Sequence, residues 1–127
     1  MDIKEVSSNS LSFIGDAVYT LNVRSYFVEH GYQGSNKLQY LCNKYNSAKG
    51  QKLAFELLKD KEFFTEEELY IYKRGRNNIR HIPKSSDLLT YQIASGLEAI
   101  VGYLYISNKK RLDCLFKVLY KEVFINA

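Results

Sequence analysis

The sequence predicts an all-α protein folded as one domain over residues 1–127. Apolar residues recur at three- and four-residue spacing in six segments, no segment alternates as a half-buried strand would, and helix-starting residues stand between them. The chain is long enough to bury a core without disulfides or metals. Its 46% hydrophobic and 25% charged residues are ordinary for a globular protein.

The first helix is placed from about 11 to 30. Leu11, Ile14, Val18 and Leu21 form its apolar face, residues 7–10 offer a cap, and Gly31 ends it in a left-handed conformation. Gly15 costs such a helix ~1 kcal/mol relative to Ala. Either another helix packs closely there, or bare backbone leaves room for a metal shell or a phosphate. Asp16 is the one acid of this run, and a carboxylate near a core must be hydrogen-bonded, protonated or bound to a cation.

A second helix follows Gly34, capped by Ser35 or Asn36 and carrying Leu38, Leu41 and Cys42. A third restarts at Asn46-Ser47, with Leu53, Ala54, Leu57 and Leu58 as its apolar side. Its opening, Ser47-Ala48-Lys49-Gly50-Gln51, is either an exposed first turn or a place where Lys49 and Gln51 meet a phosphate at the helix N-terminus. Thr65-Glu66-Glu67-Glu68 is a capping box, with Phe64 and Leu69 as the hydrophobic staple around it. That fourth helix runs through Tyr70, Ile71 and Tyr72 into Lys73-Arg74-Gly75-Arg76-Asn77, where Gly75 permits a bend or an end. Residues 77–86 form an irregular segment with the only proline, Pro83. Ser86 or Asp87 caps the fifth helix, whose broad face is Leu89, Ile93, Leu97, Ile100, Val101 and Leu104. Glu98 is its lone acid, and Gly96 and Gly102 invite close approach. The last helix, from about 109 to 123, carries Leu112, Leu115, Phe116, Leu119 and Val123.

The net charge of +4 is local. Lys73, Arg74, Arg76, Arg80 and Lys84 fall in a stretch without acids, and outside it 13 basic residues face 14 acidic ones. A basic stripe of this kind attracts a phosphate backbone, although many charge runs are only solvated faces. The 11 Tyr and 7 Phe are read as core and interface packing. No run approaches the ~20 apolar residues of a membrane span, and the start of the chain lacks the form of a signal peptide, so a cytoplasmic location is expected. Cys42 and Cys114 lack metal-ligand spacing and are expected as buried reduced thiols.

Asp16 and Glu98, lone acids on two apolar helices, suggest one shared site. Their oxygens belong to the ligand class of Mg²⁺, which typically takes one or two carboxylates together with waters and a substrate phosphate. With the basic loop, that chemistry points to phosphodiester hydrolysis. His30 and His81 form no metal-binding pattern, and no Walker loop, GxSxG or dinucleotide fingerprint is present. A salt-bridged or surface position for either acid is the plainer alternative.

Phe13-Ile14-Gly15-Asp16-Ala17-Val18 and Leu97-Glu98-Ala99-Ile100-Val101-Gly102 resemble the two signature motifs of the ribonuclease III catalytic domain. The short chain, the 73–77 basic run and Pro83-Lys84-Ser85-Ser86-Asp87 followed by Thr90-Tyr91 resemble its mini-ribonuclease III branch, over about residues 11–123. The resemblance implies an all-α endonuclease of double-stranded RNA, in which Asp16 and Glu98 are catalytic and hold Mg²⁺. It also implies a homodimer whose two centres cut opposite strands, leaving 5′-phosphates and short 3′ overhangs. For this branch the implied substrate is the precursor of 23S ribosomal RNA. The implied RNA contacts are Lys49, Lys73, Arg74, Arg76, Asn77, Arg80 and Lys84.

This sequence departs from full-length ribonuclease III at Asn9, Ser12 and Ser95, where the larger enzymes carry acids. A centre with less negative charge and weaker Mg²⁺ binding is expected, as in the mini branch. No double-stranded-RNA-binding domain is expected after Ala127, and phosphate contacts are expected from the catalytic domain itself. Two rival readings stand beside this one. One is a catalytically inactive, ribosome-associated or RNA-binding module of the same fold, which retention of both carboxylates disfavours. The other is a helical interaction protein, which leaves the basic loop unexplained.

Overall fold

The computed structural model of the chain describes residues 2–79 and 87–127, which form six α-helices and no strand. A 3₁₀ turn, Ile3–Glu5, precedes α1 (Ser8–Glu29). α1 begins where the Ser7 hydroxyl accepts from the Ser10 amide at 3.1 Å and stops before Gly31, at φ 87°. α2 (Ser35–Asn46) has neither expected cap. Gly34, at φ 94°, occupies the cap position, so Ser35 already lies inside the helix.

Ser47 ends α2 and starts α3 (Ala48–Asp60), its hydroxyl accepting from the Gly50 amide at 3.1 Å. The capping box opens α4 (Glu66–Asn77): the Glu68 amide donates to Thr65 Oγ1 at 3.1 Å, and the Thr65 amide donates to Glu68 Oε1 at 3.0 Å. Asp87 caps α5 (Leu88–Ser107), and Asn108 caps α6 (Lys109–Glu122), which a last 3₁₀ turn follows. The remainder of the expected irregular segment, 80–86, lies outside the described residues.

α5 is the central element. α1, α3, α4 and α6 all pack on it, and Ala94 to Leu97, Ala99 to Gly102 and Leu104 are buried. A helix apolar on nearly every side must be enclosed, so the single broad face expected from the sequence is too narrow a description. Its outer turn is the exception: Leu89 is exposed.

Two other apolar faces differ from expectation in phase. On α1 the buried stripe is Leu11, Gly15, Val18, Tyr19, Val23, Tyr26 and Phe27, which leaves Leu21 at the surface. On α3 it is Gln51, Ala54, Phe55 and Leu58, one register that turns Leu53 outward. Cys42 is buried, whereas Cys114 falls off the Leu112, Leu115, Phe116, Leu119 stripe of α6 and is exposed; both are free thiols.

Aromatic rings fill much of the core. Phe55 stacks on Tyr72 at 4.1 Å, and Phe27, Tyr45 and Phe124 cluster at the other end. α6 is tied to the start of α4 by Arg111, which donates to both oxygens of buried Glu68 at 2.9 and 3.0 Å and to the Phe63 carbonyl. Replacing Arg111 with Ala strands that carboxylate. The expected cost is about 2 kcal/mol, read as a shift in chemical-denaturation midpoint at unchanged slope.

Candidate active site

Asp16 and Glu98 meet where α1 crosses α5. Gly15 makes the crossing possible: a Cβ built there would lie 1.8 Å from the Glu98 carbonyl oxygen. Gly102 answers it one turn further along α5, where a Cβ would lie 2.0 Å from the Leu11 carbonyl oxygen. The cost of Gly15 in a helix therefore has its reason in close backbone packing, the first of the two readings of that residue. Asp16, the next residue, is carried to the rim of the crossing, and its carboxyl comes within hydrogen-bonding reach of that of Glu98.

The two acids have different surroundings. Asp16 is exposed, contrary to its expected place near the core, while Glu98 is half-buried. Burial raises the Glu98 carboxyl most, followed by hydrogen bonding to Asp16 and its charge; the Gln51 amide pulls the other way, and the result is about 8. The Tyr19 hydroxyl, one turn after Asp16, is buried without a hydrogen-bond partner. Desolvation, and then the nearby Glu98 charge, push its ionisation well above the ordinary tyrosine range. Asn46 Oδ1 is a second buried oxygen without a partner.

Gln51 is the site residue that sequence reasoning misplaced. It is 2% exposed, so it faces away from any phosphate outside the first turn of α3. Its Nε2 donates to Glu98 Oε2 at 3.4 Å and to the Asn46 carbonyl at 3.3 Å. The available signal was its register with Ala54, Phe55 and Leu58. Gly50 lets it sit there, because a Cβ at that position would lie 2.3 Å from the Lys44 carbonyl oxygen.

The positions that lack the extra acids are occupied by neutral pairs. Ser12 Oγ donates to the Ser95 carbonyl at 3.0 Å and lies 3.4 Å from Ser95 Oγ. Asn9 Oδ1 accepts from Asn78 Nδ2 at 2.7 Å. Among the described residues no group of three or more His, Cys, Asp or Glu gathers. Two facing carboxylates, one of them open to solvent, form an all-oxygen donor set that fits a hard divalent cation completed by water and phosphate.

The basic run ends a helix, α4, that packs on the same helix that carries Glu98. A Cβ on Gly75 of α4 would lie 2.7 Å from Ala99 Cβ and 3.2 Å from Gly96 Cα, so the end of α4 rests on the α5 turn around Glu98. Gly75 thus permits close packing, and the helix continues unbroken to Asn77. Arg74 and Asn77 line a shallow polar depression with Ser7, Ser8 and Asn9. The Arg74 and Arg76 guanidinium groups lie over the Tyr70 and Tyr72 rings at 5.9 and 5.7 Å. Lys49, Lys73 and Asn77 are exposed; Arg80 and Lys84 lie outside the described residues.

Residues 9–109 match the family model described as Ribonuclease III domain. The chain is 37% identical to Mini-ribonuclease 3 of Enterococcus faecalis, over 96% of this chain and 94% of that one. It is 41% identical to Mini-ribonuclease 3 of Staphylococcus aureus, over 89% and 86%. A crystal structure of a protein from Fusobacterium nucleatum superposes with a TM-score of 0.81 at 30% identity, covering 94% and 96% of the two chains.

Proposed function

The chain belongs to the ribonuclease III family and is an endoribonuclease of that type, and we propose that it cuts double-stranded RNA with a divalent cation, Mg²⁺, held by Asp16 and Glu98. The carrying observation is that the two lone acids, far apart in sequence, meet at a glycine-lined helix crossing, on a helix against which the end of α4 also packs. The substrate is proposed as the precursor of 23S ribosomal RNA, cut at paired ends in the cytoplasm. No helix among the described residues is long and apolar enough to cross a membrane.

When bound, the cation supplies the positive charge that polarises the scissile phosphate and acidifies the attacking water. Glu98, half-buried and held on one side by Gln51, provides the fixed ligand; Asp16, open to solvent, provides the ligand that faces substrate. Lys73, Arg74, Arg76 and Asn77 receive the phosphate backbone on the neighbouring surface, together with Lys49 at the first turn of α3. Arg80 and Lys84 are proposed to extend that contact. Duplex RNA hides its base faces, so backbone charge carries much of the affinity.

A homodimer is part of this reading. Phe13, beside the site on α1, is 84% exposed, and Leu21 and Val28 continue an apolar strip along the same helix. Ile14, Val18, Tyr105 and Leu112 line a groove next to it. Such a strip suits a second copy of the chain and would bring two centres to the two strands.

Incubation of the purified protein with a long RNA duplex or its single strands, with Mg²⁺ or with chelator, tests the reading. Mg²⁺-dependent cutting of the duplex alone, leaving 5′-phosphates, is expected; binding without cutting would overturn it. Replacing Arg74 and Arg76 together with Ala is expected to weaken binding across sequences. It should also reduce the slope of log K against log salt by about 2, one per lost phosphate contact. An unchanged slope places the RNA elsewhere.

A further inference from the structure

Gln51 contributes a neutral, buried donor to a site otherwise made of acids. Both hydrogens of its amide are engaged, one by Glu98 Oε2 at 3.4 Å and the other by the Asn46 carbonyl at 3.3 Å. The backbone carbonyl can only accept, which fixes the amide with its nitrogen toward Glu98. The side chain is 2% exposed and its backbone is set by the Ser47 cap and by Gly50. Gln51 therefore links the junction of α2 and α3 to a carboxylate on α5 through a rigid support.

We propose that Gln51 is a positioning residue that holds the Glu98 carboxylate in its cation-binding orientation toward Asp16. The proposal rests on the metal role of Glu98 stated above. A glutamate has three side-chain torsions, and the one described side-chain donor to Glu98 is this amide. A lysine or arginine here would neutralise the site and compete with the cation, whereas an amide orients the carboxylate and leaves its charge available. Groups that orient a metal ligand in this way typically change affinity 10–100-fold when removed. Tyr19, whose buried hydroxyl is unpartnered, lies near enough to feel the Glu98 charge but supplies no second donor bond to it in the described contacts.

The test uses Gln51→Met, which keeps length and volume and removes both donors, on the full chain without RNA. Mn²⁺ binding, followed by electron paramagnetic resonance of the free ion, is expected to weaken about tenfold or more, and the Mg²⁺ needed for half-maximal cutting to rise in parallel. Duplex RNA binding in chelator should stay within about twofold, because the buried amide presents no group to the RNA. Introduced into Glu98→Gln, the same substitution should cause no further loss of Mn²⁺ affinity, since its target is already gone.

Unchanged Mn²⁺ affinity in Gln51→Met, or an equal additional loss in the Glu98→Gln background, overturns the proposal. Gln51→Asn, which keeps the amide but shortens its reach, covers the case in which the Met variant does not fold, and its affinity should fall between wild type and Glu98→Gln. Wild-type Mn²⁺ affinity in Glu98→Gln itself would overturn the underlying metal assignment instead.

Discussion

Glu98→Gln is expected to abolish RNA cutting, lowering kcat by ~10³-fold or more, while duplex binding in chelator and the helical fold persist. The substitution removes one charge and changes almost no volume. A metal-held transition state is worth several kcal/mol, and ~4 kcal/mol corresponds to about that factor in rate. Single-turnover cleavage alongside a binding titration separates the two effects; cutting at the normal rate would remove Glu98 from the site.

A second readout comes from the same variant. Glu98 is pushed up to about 8 by burial and by Asp16, so the metal-free folded state resists its ionisation more than the unfolded chain does. The stability this group contributes is therefore complete below the ordinary carboxylate range and is lost as pH rises through about 8. Melting in chelator should show that decline between acid and mildly alkaline pH for the wild type. Glu98→Gln should lack it.

Gly15→Ala is expected to produce the largest loss of stability of any single methyl group added to the chain's α1–α5 crossing. The new Cβ would stand 1.8 Å from the Glu98 carbonyl oxygen and 2.9 Å from the Gly102 amide nitrogen, both backbone atoms of an enclosed helix. No rotamer relieves such a contact, so the helices must separate. Overpacking of a tight core costs ~1–3 kcal/mol and occasionally more, and a backbone collision belongs at the upper end. That overrides the ~1 kcal/mol by which Ala otherwise favours a helix. About 3 kcal/mol should appear as a lower denaturation midpoint at unchanged slope. Cutting should fall with it, because Asp16 moves with the crossing. A more stable Gly15→Ala would mean the two helices lie further apart than described.

Much of this arrangement was legible from residue types. The lone acids at Asp16 and Glu98 stood out because an apolar run leaves a carboxylate few options. Thr65 and Glu68 announced a helix start whose reciprocal hydrogen bonds are local and owe little to tertiary structure. Gln51 was not legible in the same way, since a polar residue in a first turn reads as solvent-facing. Its burial depends on the short Ser47 junction that folds α3 back on α2, a relation between helices that period alone does not contain. Leu21 and Leu53 failed for a related reason: each fits an apolar spacing, yet the stripe that faces α5 runs one register away. The exposure of Asp16 likewise follows from which stripe of α1 is buried, since it lies off the Leu11, Gly15, Val18, Tyr19 stripe.

The pairing of Ser12 with Ser95 spans 83 residues, and the acids one turn beyond them are joined across a similar interval. Synthesis delivers Asp16 early and Glu98 only in the last quarter of the chain. A growing polypeptide on the ribosome thus presents its basic α4 end before it owns a complete centre. RNA-cutting ability should switch on abruptly with chain length, once α5 has emerged and docked, and a nascent chain halted before Glu98 should leave surrounding RNA intact.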